Sequence, residues 1–221
     1  PDSIFRSLVY AGKVMGLCAY GEVREDWLNP IREYFGNADS NRHGSDIESL
    51  GLKLIGSPFT LNCLEGKDSY DLAATSQYVF EELFFNVFWR KIKNNNLDVI
   101  LVGGCALNVL LNQRLSEELE KIGKKLFVPS NPNDCGLSLG QFLYHNKHKI
   151  KDDVVYNGFE ILDESDFEMF KDQYSATICD VSDIVDLVKD GKIIGIIGGG
   201  SEIGPRALGN RSIICDPSRK D

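Results

Sequence analysis

The segment Asp98-Val99-Ile100-Leu101-Val102, followed at once by Gly103-Gly104, restricts the fold of this chain more than any other feature. A short apolar run that ends in a glycine pair reads as a strand buried on both faces, turning into a helix over Ala106 to about Lys121. Lys125-Leu126-Phe127-Val128-Pro129 repeats the pattern as a second strand, and Gly136 to about His145 as a second helix. A strand, helix, strand, helix order implies a parallel pair of strands and an α/β class.

Upstream, Leu72, Ala73, Tyr78, Val79, Leu83, Val87, Phe88 and Ile92 recur at three or four without Gly or Pro, which predicts a long, largely buried helix from Ser69 to Lys93. Glu22 to Gly66 is mixed and turn-rich. Downstream, Lys149-Ile150-Lys151-Asp152-Asp153 reads as an interdomain linker, so one domain is expected over 1–150 and another over 151–221. In the second, Ser165–Lys171 is expected helical and Ala176–Cys179 extended. Val181–Lys189 is expected as a helix with Ile184, Val185, Leu187 and Val188 inward, and Ile193–Ile197 as a strand entering Gly198-Gly199-Gly200.

At 221 residues, 43% hydrophobic and 26% charged, the chain has the composition of a globular protein, not of a disordered or collagen-like one. No run is apolar enough to span a membrane, and Pro1-Asp2-Ser3-Ile4-Phe5-Arg6 lacks the features of a signal peptide, so a cytoplasmic location is expected. Pro1 in place of an initiator Met suggests a fragment of a longer protein. The formal charge of −9 is concentrated in residues 151–190, while residues 191–221 carry a net +2 that suits an anion. That balance disfavours nucleic acid as a partner. Six scattered cysteines without a CxxC are expected as buried free thiols.

Three constellations bear on chemistry. Gly103-Gly104-Cys105-Ala106-Leu107-Asn108 forms a strand-to-helix turn, where backbone N–H groups can meet a phosphate or nucleotide, though the glycines can equally serve packing. In Ser130-Asn131-Pro132-Asn133-Asp134-Cys135-Gly136, Asp134 sits at the ligand edge of an open α/β sheet, as a helix cap or a metal ligand. His145 and His148 read as surface residues. The third, Gly198 to Ser212, places Glu202, Arg206, Asn210, Arg211 and Ser212 among glycines, which suits an anion; the alternative is a structural loop with Arg206 buried against Glu202.

Taken together, Gly12-Lys13-Val14-Met15-Gly16-Leu17-Cys18-Ala19-Tyr20-Gly21, Gly103 to Asn108, Phe127 to Gly140, and Glu202 to Ser212 resemble, in order and spacing, the NodU/CmcH-type O-carbamoyltransferases. The resemblance implies the later, C-terminal part of an actin-like (ASKHA, ribonuclease H-like) domain followed by the beginning of a YrdC-like α/β domain. It implies an ATP-dependent reaction in which carbamoyl phosphate gives carbamoyl adenylate, whose carbamoyl group passes to a hydroxyl of a small-molecule acceptor. By the same resemblance, Gly103, Gly104, Cys105, Ala106 and Asn108 contact nucleotide, and Asp134 binds a divalent metal (iron, manganese or magnesium). Glu202, Arg206, Asn210, Arg211 and Ser212 would meet carbamoyl phosphate or ATP phosphates, and Lys13, on the cleft wall, and Arg206 are the catalytic candidates.

The chain departs from the family in three ways. The family's metal-binding histidines have no counterpart, Gly198 stands where Gln is common, and Gly200 where Arg is common. The fragment alone is expected to be inactive. Two other readings stay open: a threonylcarbamoyl-transfer enzyme acting on tRNA, and a non-catalytic nucleotide-binding protein of the same fold. No membrane partner is expected, and self-association is left open.

Overall fold

The structure is a computed structural model that describes residues 12–36, 54, 66–146, 154–160 and 163–218. The chain divides into two compact units, one of residues 1–100 and 107–127, the other of 101–106 and 128–221. The expected linker at 149–153 and His148 lie outside the described residues, as does most of the turn-rich stretch from Glu22 to Gly66.

In the first unit a helical stretch over residues 12–17 tightens into a 3-10 turn at Cys18–Tyr20. Helices α1 (Glu25–Gly36) and α2 (Lys67–Lys93) follow. Trp27, Ile31, Leu54 and Val79 form the buried cluster between them, and the Trp27 indole N–H donates to the Leu54 carbonyl at 3.1 Å. Each of these side chains contributes roughly 1.5–3 kcal/mol by leaving water. Arg32 forks onto Glu82 through Nε at 2.8 Å and Nη2 at 2.7 Å, tying the helices at their rim. The buried residues of α2 all fall in its first half, from Asp71 to Val79; Val87 and Phe88 are exposed, so the helix is not largely buried as expected.

The segment after the 3-10 turn is fastened to the start of α2. Glu22 N donates to the buried Asp71 carboxylate at 2.8 Å, and Arg24 N to the Thr75 hydroxyl at 3.0 Å. A Cβ on Gly21 would lie 2.0 Å from the Tyr70 carbonyl oxygen, so only glycine lets the segment approach this closely.

Strands β1 (Val99–Ile100) and β2 (Leu126–Phe127) pair in parallel, Val99 with Leu126 and Ile100 with Phe127, as the alternation of strands and helices requires. Helix α3 (Val109–Glu120) connects them and buries Leu111, Leu115 and Leu119, one stripe at spacing four. Both strands are shorter than expected. Ile100 and Val102 are 68% and 62% exposed, so the run is not buried on both faces: among the described residues the pair is covered on one side only.

The second unit contains α4 (Leu137–Asn146), α5 (Glu164–Tyr174) and α6 (Val181–Lys189). Its strands β3 (Ile194–Ile197) and β4 (Arg211–Ile214) are antiparallel. Helix α6 begins in a capping box: Asp183 N donates to Asp180 at 2.9 Å and Asp180 N to Asp183 at 3.0 Å. Its Ile184, Leu187 and Val188 are half-buried, but Val185 faces solvent, contrary to expectation. Five of the cysteines are also corrected: Cys105, Cys135, Cys179 and Cys215 are exposed and Cys18 half-buried, all as free thiols, while Cys63 lies outside the described residues. Among the described residues no helix is long and apolar enough to cross a membrane.

Candidate functional site

Gly103 has φ +96°, a conformation open chiefly to glycine, so its lack of a side chain is demanded by the backbone. Its N–H donates to the Pro132 carbonyl at 2.7 Å, and its carbonyl accepts from Ala106 N at 3.0 Å. Ala106 is buried beneath the turn, while Gly103, Gly104 and Cys105 are exposed. Gly104 needs glycine for neither reason: its φ is ordinary, and a Cβ there would meet nothing within 4 Å. It keeps one stretch of exposed main chain clear.

Asn108 belongs to the first unit and caps α3. Its Oδ1 accepts from Leu111 N at 2.9 Å and from Gln77 Nε2 at 3.0 Å, while its Nδ2 donates to Gln77 Oε1 at 2.8 Å. Gln77 donates in turn to Glu81, and Glu81 pairs with Arg114 at 3.0 Å. The acceptor capacity of the Asn108 amide is therefore filled from within, and one N–H remains for other contacts. Gln77, 31 residues away, carries no sequence signal beyond Glu81 one turn later. Lys13 lies in the same unit, exposed, in the helical stretch at 12–17.

In the second unit the Ser130–Gly136 loop lies against the glycine turn through Pro132. Asp134 opens a 3-10 turn at Asp134–Gly136, and a Cβ on Gly136 would fall 2.3 Å from the Asn131 carbonyl oxygen. Asp134 is exposed, and its carboxylate has no hydrogen bond or ion pair among the described residues. Among those residues no three His, Cys, Asp or Glu side chains group so as to hold a metal. A single carboxylate is no cation site, so the described residues do not by themselves fit the metal that the resemblance implies.

The loop from Gly198 to Asn210 joins β3 to β4, a strand the sequence reading lacked. Glu202 is its centre, with a side chain that is 0% exposed. One carboxylate oxygen accepts from Leu208 N at 2.8 Å and Asn210 N at 2.7 Å; the other accepts from Arg211 Nε at 2.6 Å. Arg211 Nη2 also donates to the Glu202 carbonyl at 3.0 Å. Burial pushes the Glu202 carboxyl up, but Arg211 and the backbone donors outweigh it and hold it at about 2. The arginine against Glu202 is thus Arg211, not Arg206, which is half-buried on the same loop. Asn210 Nδ2 donates to the Gly200 carbonyl at 2.7 Å, and Ser212 Oγ accepts from Gly209 N at 3.0 Å.

Residues 155–160 run beside this loop: Ile203 N donates to Val155 O at 2.7 Å and Ser201 N to Phe159 O at 2.8 Å. A Cβ on Gly200 would lie 2.3 Å from the Tyr156 carbonyl oxygen, so this backbone has no room for a side chain at 200; at Gly198 there is room. Gly204, at φ +142°, packs where a Cβ would meet the Ser130 carbonyl oxygen at 2.3 Å. One unit therefore brings together the Gly103 turn, the Asp134 loop and the Glu202 loop; Lys13 and Asn108 belong to the other.

Comparison with known proteins falls on these same segments. Residues 40–141 match the family described as carbamoyltransferase, Kae1-like domain, second subdomain, and residues 185–221 match the carbamoyltransferase C-terminus. Nodulation protein NolNO of Sinorhizobium fredii is 30% identical over 93% of this chain and 32% of its own length. Nodulation protein NolO of Bradyrhizobium diazoefficiens is 28% identical over 93% of this chain and 40% of its own length. Nodulation protein U of S. fredii is 26% identical over 96% and 40%. This chain belongs to the NodU-type carbamoyltransferase family. It spans about a third to two fifths of the length of these relatives. Within the NodU-type family match, the Gly103 turn and Asp134 fall in the Kae1-like segment, and the Glu202 loop in the C-terminal one.

Proposed function

We propose that the protein of which this chain forms a part is an ATP-dependent O-carbamoyltransferase. In this reading water cleaves carbamoyl phosphate to carbamate and phosphate, the carbamate oxygen attacks the α-phosphorus of ATP to give carbamoyl adenylate and pyrophosphate, and the carbamoyl group then passes to a hydroxyl of a small-molecule acceptor with release of AMP. The first part of the chain would be actin-like and the last part the opening of a YrdC-like domain. The observation that carries the proposal is the convergence of the Gly103 turn, the Asp134 loop and the Glu202 loop in the carbamoyltransferase-matching chain, with Gly104 left open.

A mixed anhydride with AMP is a better carbamoyl donor to an alcohol than carbamoyl phosphate, because its leaving group is stabilised when its charge is met by fixed dipoles. ATP supplies that leaving group when bound. The exposed main chain at Gly103 and Gly104 allows a phosphate or nucleotide face to approach without a Cβ between them. Arg206 offers a planar fork of donors to phosphate oxygens. Asp134, exposed and unpaired among the described residues, supplies one ligand to a divalent metal whose other ligands would come from elsewhere in the protein.

Release of pyrophosphate from ATP tests the reading in the full-length protein. Release that requires carbamoyl phosphate is expected; a folded protein that releases none would refute it.

A further inference from the structure

We infer that Glu202 and Arg211 form a positioning pair that shapes the loop carrying Arg206, and that Arg211 acts on substrate only through this loop. The inference rests on the reading of the loop as part of the carbamoyl phosphate and ATP site. Two main-chain N–H groups and a guanidinium around one point are the surroundings an anionic ligand needs. Here the protein's own carboxylate already fills them: Leu208 N, Asn210 N and Arg211 Nε all donate to Glu202.

Arg211 uses two of its three guanidinium nitrogens in the same way. Its Nε and Nη2 point at the Glu202 carboxylate and carbonyl, and its charge is met by a buried counter-charge. A neutral pair attracts an incoming phosphate weakly. The bonds to Glu202 come from residues six, eight and nine positions later, so a single side chain closes the whole loop around Gly204 to Gly209. Asn210 adds a second closure, donating through Nδ2 to the Gly200 carbonyl and accepting through its own carbonyl from Gly198 N at 3.1 Å. Arg206 sits in the middle of the segment so held.

The alternatives differ in sign. If Arg211 touched the ligand directly, Glu202→Gln would remove a competing negative charge and strengthen carbamoyl phosphate binding, while Arg211→Lys would weaken it. If the pair positions the loop, both substitutions weaken binding by a similar factor, roughly tenfold, and the double variant is no worse than the weaker single. Arg211→Lys retains the charge but not the fork, so it does not rescue binding.

The test measures carbamoyl phosphate affinity and the thermal midpoint of the full-length protein and the three variants, at a temperature where all are folded. Equal, non-additive losses of affinity support the pair as a positioning device. Tighter binding by Glu202→Gln, or lowered midpoints with unchanged affinity, would overturn it. Should Glu202→Gln not fold, Glu202→Asp replaces it: it keeps the charge but shortens the side chain, so the positioning pair predicts a similar loss of affinity, and unchanged affinity would overturn it. A wild-type protein that binds no carbamoyl phosphate would instead count against the reading of the site.

Discussion

Arg211 Nε lies 2.6 Å from a carboxylate oxygen of Glu202, a side chain wholly enclosed by the loop between two antiparallel strands. The pair has a measurable consequence in acid. Folding lowers the Glu202 pKa to about 2, below an unfolded value of about 4.3. Its stabilising contribution is therefore complete above about pH 4.3 and is lost as pH falls towards 2. Asp26, Glu82 and Asp163 are lowered too, chiefly by bonds from Arg24, Arg32 and Ser165, so these contacts also weaken in acid. Urea midpoints between pH 5 and 2 should fall less steeply for Glu202→Gln than for the wild type; parallel curves would contradict this.

Gly204→Ala should destabilise the second unit by about 1–3 kcal/mol, because it demands a φ that alanine rarely adopts and forces a methyl group against the Ser130 carbonyl. Gly198→Ala, where the methyl meets nothing, is the matched control and should change stability little. Urea denaturation of the two variants side by side makes the comparison.

Asn108→Ala removes the cap of α3 and takes the donor from Gln77 Oε1, and should cost about 1–2 kcal/mol in the same measurement. Asn108→Ser keeps a capping oxygen and should recover part of that loss. Full stability in Asn108→Ala would show that the cap contributes nothing.

Asp134→Ala, by contrast, should leave stability within about 0.5 kcal/mol, since the carboxylate is exposed and unpartnered among the described residues. In the full-length protein it should lower the bound divalent metal measured by elemental analysis. Unchanged metal content would remove Asp134 from the ligand set.

Local signals were legible where they are complete within a few residues. Val181–Lys189 is read to the residue because Asp180 and Asp183 form a capping box directly before an apolar stripe. The parallel pairing of β1 and β2 follows from the intervening helix. What failed depends on distant partners. Burial of Ile100 and Val102 requires a covering layer that a short apolar run cannot specify. Strand β4 is four residues long and begins at an arginine already occupied by Glu202. The choice between Arg206 and Arg211 is made by the path of a loop, and the partnership of Gln77 with Asn108 spans 31 residues. The motifs of the site were visible in sequence, but the internal use of Arg211 and Asn108 was not.

The most direct test of the account is carbamoyl-phosphate-dependent ATP:pyrophosphate exchange by the full-length protein and its Arg206→Ala variant. Loss of one charge-assisted contact to a phosphate amounts to about 1.5–3 kcal/mol, or roughly tenfold to more than a hundredfold in affinity. Exchange in the wild type is expected to require carbamoyl phosphate, and to fall at least about tenfold in Arg206→Ala protein that remains folded. Absence of exchange in the folded wild type, or exchange indifferent to carbamoyl phosphate, would contradict this.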